Sequence, residues 1–187
     1  MKVGLMNNIQ EKRKYKEKYQ KKGPKETRAF SPKENESAIQ HLFELGNKFH
    51  KSGNISEAET VFRKILSLVP KHPGALHFLG VIARQCGKMK EAITLIKAAI
   101  KEIPQYHTAH NNLGQVYMDL GELENAHDAF KCAIKENKDY AIAQFNLGIV
   151  YKKQREFKNA ILHFKKSAKL NPRHLESHLE IGNYYLN

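Results

Sequence analysis

Ten histidines and two cysteines are the residues of this 187-residue chain best suited to chemistry. His174 and His178 stand four apart, on one face if the segment is helical, and His107 and His110 stand three apart. Such pairs could begin a metal site or an acid–base pair. Zinc, however, needs about three or four convergent ligands, and no cysteine or carboxylate partner is apparent at either pair. His110 and His178 also share a periodic column with Leu42 and Leu76. That is a helix-packing column, so both read as partly buried structural histidines. Cys86 and Cys132 are far apart and on different kinds of helix, which makes disulfide and metal readings weak. Free thiols, at least partly buried, are expected. No Ser–His–Asp arrangement, phosphate loop or dinucleotide motif occurs. The chain reads as non-catalytic, with no cofactor and no metal.

The elements that carry these residues follow a rhythm. Gly46, Gly80, Gly114, Gly148 and Gly182 recur every 34 residues, each after a Leu or Ile. Ala58, Ala92, Ala126 and Ala160 keep the same step, as do Phe62, Ile96, Phe130 and Phe164. Gly53, Gly87 and Gly121 mark a mid-repeat turn, with Arg155 as the exception. Pro70, Pro104 and Pro172 mark repeat ends, with Lys138 as the exception. A fixed period of this length signals a repeat architecture.

Each column has a physical reading. Glycine inside a helix costs about 1 kcal/mol relative to alanine, so a recurring one implies close approach of a neighbouring helix. The small alanine reads the same way, and the large residues at helical spacing fill the space between helices. The pattern predicts helical hairpins over residues 37–51 with 55–69, 73–86 with 89–102, 107–120 with 123–136 and 141–154 with 157–170. A lone helix follows over 175–186. Asn54 with Glu57 predicts a side-chain cap at the second helix.

These columns resemble the tetratricopeptide repeat, over about residues 37–187. The resemblance implies an all-α, right-handed solenoid of helix-turn-helix repeats, four in number plus a final single helix. It also implies that the first helix of each hairpin lines a concave groove that holds an extended peptide. Carried over residue by residue, the groove positions are Phe43, Asn47, Phe78, Asn111, Asn112, Gln115, Phe145, Asn146, Ile149, Lys152 and Asn183, with His77 and Val81 beside them. Asn112 and Asn146 lie one repeat apart and look like a short version of the asparagine ladder in O-linked N-acetylglucosamine transferase repeats. An asparagine amide can both donate to and accept from a peptide backbone; it can equally cap or bond locally. On the ladder reading both amides face the open groove, and Phe145 offers an apolar pocket. The carboxylate clamp of chaperone-binding relatives does not carry over. Phe43 and Phe78 replace two of its polar residues, and Glu176 and Glu180 stand where its cations belong.

Composition bounds the partners. The chain has 32 Lys and Arg against 19 Asp and Glu, a formal net charge of +13. Residues 1–36 are polar and basic, and read as a largely disordered tail. A basic balance invites nucleic acid. Yet Lys64, Lys97, Lys131 and Lys165 fall at outer helix positions without interleaved aromatics, so a nucleic-acid partner is disfavoured. No apolar run approaches the roughly 18 residues of a membrane span, and the first residues lack a secretory core, which leaves the cytoplasm as the default. The reading is a scaffold that binds a protein or extended peptide in its groove. The alternatives are the recognition arm of a larger transferase and a basic RNA-associated scaffold.

Overall fold

A computed structural model describes residues 32–186. The chain divides into two compact units, Met1–Ala38 and Ile39–Asn187; the start of α1 apart, everything below concerns the second. The basic tail lies outside the described residues up to position 31.

Nine helices and no strand occur among the described residues. They are α1 (Pro32–Lys51), α2 (Ile55–Leu68), α3 (Pro73–Gln85), α4 (Met89–Glu102), α5 (His107–Asp119), α6 (Leu123–Glu136), α7 (Ala141–Lys153), α8 (Phe157–Leu170) and α9 (Leu175–Leu186). The protein is an all-α helical repeat solenoid. Helix α1 begins at Pro32, five residues before its expected start. Proline is tolerated in the first helical turn because its missing N–H has no partner there. The other helix ends fall within one residue of expectation.

The glycine column works by close approach. A Cβ built on Gly46 would lie 2.7 Å from the Phe62 ring, and on Gly114 2.6 Å from Phe130. Gly80 meets Ile96 at 2.5 Å, and Gly148 meets Phe164 at 2.6 Å. Each hairpin therefore closes on a ring or isoleucine pressed into a glycine notch. Those four residues are almost wholly buried, together with Ala58, Ala92, Ala126 and Ala160 of the second helices. Ile82, Val116 and Val150 fill the space between hairpins.

The mid-repeat turn demands a left-handed residue. Gly53, Gly87 and Gly121 have φ of 76°, 74° and 76°, and Arg155 adopts 62° in the same place. Arginine pays the Cβ penalty that glycine avoids.

Two local expectations fail. Asn54 occupies the N-cap of α2 but makes no side-chain cap bond. Its ψ of 69° falls short of the extended conformation that aims a cap side chain over the first turn. His72, with ψ of 110°, does cap: its Nδ1 accepts from the Ala75 N–H at 3.1 Å. The cysteines are free, as expected, but exposed. Cys86 follows the last residue of α3 and Cys132 lies on a stretch of α6 flanked by exposed Lys131.

Candidate interaction groove

The first helices of the hairpins, α1, α3, α5, α7 and α9, carry all the residues expected in the groove. Equivalent residues are 34 apart in sequence, but several of the side chains that meet between consecutive first helices are 35 apart. Phe43 meets Phe78, with ring centroids at 5.8 Å. The Asn112 amide meets His77 Nε2 at 2.7 Å. Arg84 meets Asp119 at 2.6 Å, and Asn146 donates to Asn111 Oδ1 at 2.9 Å. Neighbouring helices cross at an angle, and the contact moves along by one residue at each step.

This shift changes the role of the asparagines. Asn146 is 7% exposed and Asn111 2%. Asn146 gives its amide hydrogen to Asn111, and Asn111 Nδ2 points at Asn112 Oδ1 at 3.5 Å. Asn112 continues to His77, whose Nδ1 lies 3.1 Å from the Tyr106 hydroxyl. The result is one chain of polar groups across α7, α5 and α3. The expectation that Asn112 and Asn146 both aim free amides at the groove is thereby corrected, because a 34-residue spacing does not bring them into register. Asn112 is half-buried and Asn146 is buried.

Burial pushes the His77 imidazolium pKa down to about 4, with the nearby His50 adding to the effect. His77 is therefore neutral at pH 7. An Asn112 amide donating to Nε2 leaves the His77 proton on Nδ1, where it can be given to the Tyr106 oxygen. The same burial raises the Tyr106 pKa above its usual value. The histidine pairs singled out for metal chemistry make local bonds instead, and of the two expected to be partly buried His110 is so while His178 is exposed. His110 Nε2 bonds to the Pro104 carbonyl at 2.8 Å and His178 Nε2 to the Pro172 carbonyl at 3.0 Å, the same tie two repeats apart. His174 accepts from the Ser177 N–H at 3.3 Å. Among the described residues no cluster of His, Cys, Asp or Glu could hold a metal ion.

The remaining groove candidates divide into packed and accessible ones. Phe43 packs between Phe62, Phe78 and His72. Phe145 lies 4.8 Å from the His174 ring and 5.5 Å from Phe164. Both are half-buried and stiffen the stack. Gln115 shares Arg84 with Asp119, at 3.0 Å. Lys152 is exposed and pairs with Glu180 at 2.6 Å. Ile149 is half-open and Asn183 exposed. Asn47 Oδ1 and His50 Nε2, both on α1, are buried without a hydrogen-bond partner. The sequence reading missed His50 and the Arg84–Asp119 pair. A search for complementary types 35 residues apart would have found the pair.

Comparison with known proteins agrees with this geometry. A family model described as the SusR N-terminal TPR domain matches residues 3–144, and a single tetratricopeptide repeat model matches residues 141–174. None of the curated proteins compared with the chain is a match. Among solved structures, MamA is 28% identical with a TM-score of 0.66, over 75% of this chain and 82% of that one. A thermophilic TPR protein of Thermus thermophilus is 25% identical with a TM-score of 0.69, over 79% of this chain and 81% of its own. A mutant O-GlcNAc transferase of Thermobaculum terrenum shares the fold at 23% identity and a TM-score of 0.69, over 72% of this chain and 26% of the transferase. With a family model spanning most of its length, the chain belongs to the SusR N-terminal TPR domain family, a family of tetratricopeptide repeats.

Proposed function

We propose that the face built by the first helices holds an extended segment of a partner protein, and that the chain is a scaffold without catalysis of its own. Tetratricopeptide repeats form protein–protein interaction scaffolds, and the family match supports that coarser reading here. The observation that carries the finer one is the pair of unpartnered polar atoms on α1. Asn47 Oδ1 and His50 Nε2 are buried and three residues apart. A buried polar atom without a partner costs about 1–3 kcal/mol, and a ligand that pairs with both recovers part of it. Both atoms are closed to solvent as α1 stands, so a peptide backbone N–H or carbonyl would meet them only after the two side chains turn towards the groove. The Phe78 ring, 5.5 Å from His50, supplies an apolar wall beside them. Farther along, Val81, Ile149 and Lys152 remain open to side chains of the same segment. The inner amides of Asn111, Asn112 and Asn146 are committed to the stack, so backbone pairing is assigned to the α1 end.

The test is affinity capture, identification of the partner, and titration of that partner against wild type and an Asn47→Ala, His50→Ala variant. Loss of two such hydrogen bonds is expected to weaken binding about tenfold to a hundredfold, with a modest fall in melting temperature from the lost packing of His50 on Phe78. Equal affinities would remove the groove reading.

A further inference from the structure

Large aliphatic side chains stand open to solvent at the corners where a second helix gives way to the next first helix. Leu68 ends α2 and is 51% exposed, and Ile103 caps α4 at 40%. Ile142 opens α7 at 44%, and Leu170 ends α8 at 37%. Each of the four corners contributes one. The same helices pack tightly elsewhere, since Ile65, Ile96 and Val150 are wholly buried. The helices of a hairpin run antiparallel, so the corners fall along one edge of the stack and the mid-repeat turns along the other.

The corners also carry cations. Lys101, Lys135 and Lys169 recur 34 residues apart in the last turns of α4, α6 and α8, and Lys64 stands one turn before Leu68. All four are exposed, and none has an ion-pair partner among the described residues. Lys71, by contrast, is held by Glu102 at 3.9 Å. Residues 64–76, 98–110, 132–144 and 166–178 cover the corners and hold eight Lys and Arg against four Asp and Glu, so the row is net positive. A cation in the last turn complements the helix dipole, which accounts for the charge but not for the aliphatic side chain that accompanies it.

We propose that this edge is a docking surface for an anionic lipid bilayer, separate from the groove of the first helices. One aliphatic per repeat leaves no continuous stripe against which a partner helix could lay its face. A fluid bilayer needs none. Each side chain enters the headgroup boundary on its own, and each lysine, a compact charge on a flexible stem, pairs with whichever lipid phosphate lies near. Attraction to an anionic leaflet adds with every cation brought to its surface and weakens as salt rises.

The chain has no tryptophan, so a single introduced one reports its own surroundings. Ile142→Trp in the full chain is expected to shift its emission to the blue, and to be quenched by brominated acyl chains, on vesicles of phosphatidylcholine with phosphatidylglycerol. Vesicles of phosphatidylcholine alone should do neither. Leu120→Trp lies at the opposite edge, where residues 115–127 hold three acids and no Lys or Arg. That variant should bind equally well without a shift. In vesicle sedimentation, Lys101→Gln, Lys135→Gln and Lys169→Gln together are expected to weaken binding about tenfold or more. Leu68→Ser with Leu170→Ser should weaken it about tenfold, with melting curves unchanged. Asn47→Ala with His50→Ala should leave it intact, so failure of the groove and failure of this edge are separate results. No binding to the anionic vesicles, or a blue shift at both tryptophans or at neither, overturns the proposal. Binding indifferent to the lysine and leucine changes, but lost with Lys12→Gln, Arg13→Gln and Lys14→Gln, would belong to the basic tail and overturn it equally. Polyuridylate or polyglutamate held by the three lysines, with vesicles left unbound, would overturn it in favour of a soluble polyanion.

Discussion

The junction between α1 and α3 is aromatic, and the junction between α5 and α7 is made of amides. At the first, Phe62 stacks on Phe78 at 5.1 Å, and Phe43 fits edge-on against both. At the second, the positions equivalent to Phe43 and Phe78 hold Asn111 and Asn146, which join Asn112 in a directed chain of hydrogen bonds. The glycine, alanine and ring columns behind them are the same. One backbone arrangement thus accepts either chemistry. Apolar rings contribute through buried area and tolerate small displacements. Amides contribute only while each donor faces its acceptor, so they fix how one hairpin sits on the next.

The largest test acts on the aromatic junction. Phe62 is fully buried and touches the Gly46 notch as well as Phe43 and Phe78. Phe62→Ala is expected to cost about 3–5 kcal/mol in urea denaturation, through lost burial and the cavity left behind. A loss below about 1 kcal/mol would mean that the rings rearrange freely and that the contrast with the amide junction is one of composition only.

Acid should next loosen the end of the polar chain that joins the amide junction to α3 through His77. The folded His77 pKa near 4 lies below its ordinary 6.5 because burial disfavours the charged ring. Stability from the neutral form is therefore complete above about pH 6.5 and declines as pH falls towards 4, by at most about 3 kcal/mol. Protonation would turn Nε2 into a donor facing the Asn112 amide and break the chain there. His163, lowered to about 4 by burial and by Lys166 and His127, adds a decline of the same sign. His77→Gln should flatten the pH dependence of the melting temperature without abolishing it. An unchanged slope would show that the polar chain does not feel this histidine.

The periodic part of the molecule was legible because it repeats. Gly114 and Phe130, or Ala126 and its equivalents, each occur four times with one geometric meaning, and noise at one position does not hide the column. The candidate site was less legible because its contacts cross between repeats. Asn112 and Asn146 match in sequence at 34 residues, yet contact runs at 35, and a one-residue shift turns a pair of solvent-facing amides into Asn111 holding Asn146. Asn54 shows the same limit on a small scale. Its type suits a cap, but the backbone set by Gly53 at φ 76° delivers it at the wrong angle.

The finest test measures direction in the amide junction. Asn146→Ala removes the donor and leaves Asn111 Oδ1 buried without a partner, which should cost about 1–3 kcal/mol. Asn111→Ala strands the Asn146 amide and also ends the link to Asn112, so it should cost at least as much. The double variant leaves neither group stranded within this pair. Its loss should fall short of the sum of the two single losses by about 0.5–3 kcal/mol, the range for groups in direct contact. The same cycle on Phe43 and Phe78 should give a smaller coupling, about 0.5–1.5 kcal/mol, as expected for an aromatic pair that packs without a shared proton. Chemical denaturation of the wild type and the six variants of the two cycles supplies both numbers. Additive losses at Asn111 and Asn146 would mean that the amides are spectators of the packing, and the distinction between the two junctions would collapse to hydrophobic area.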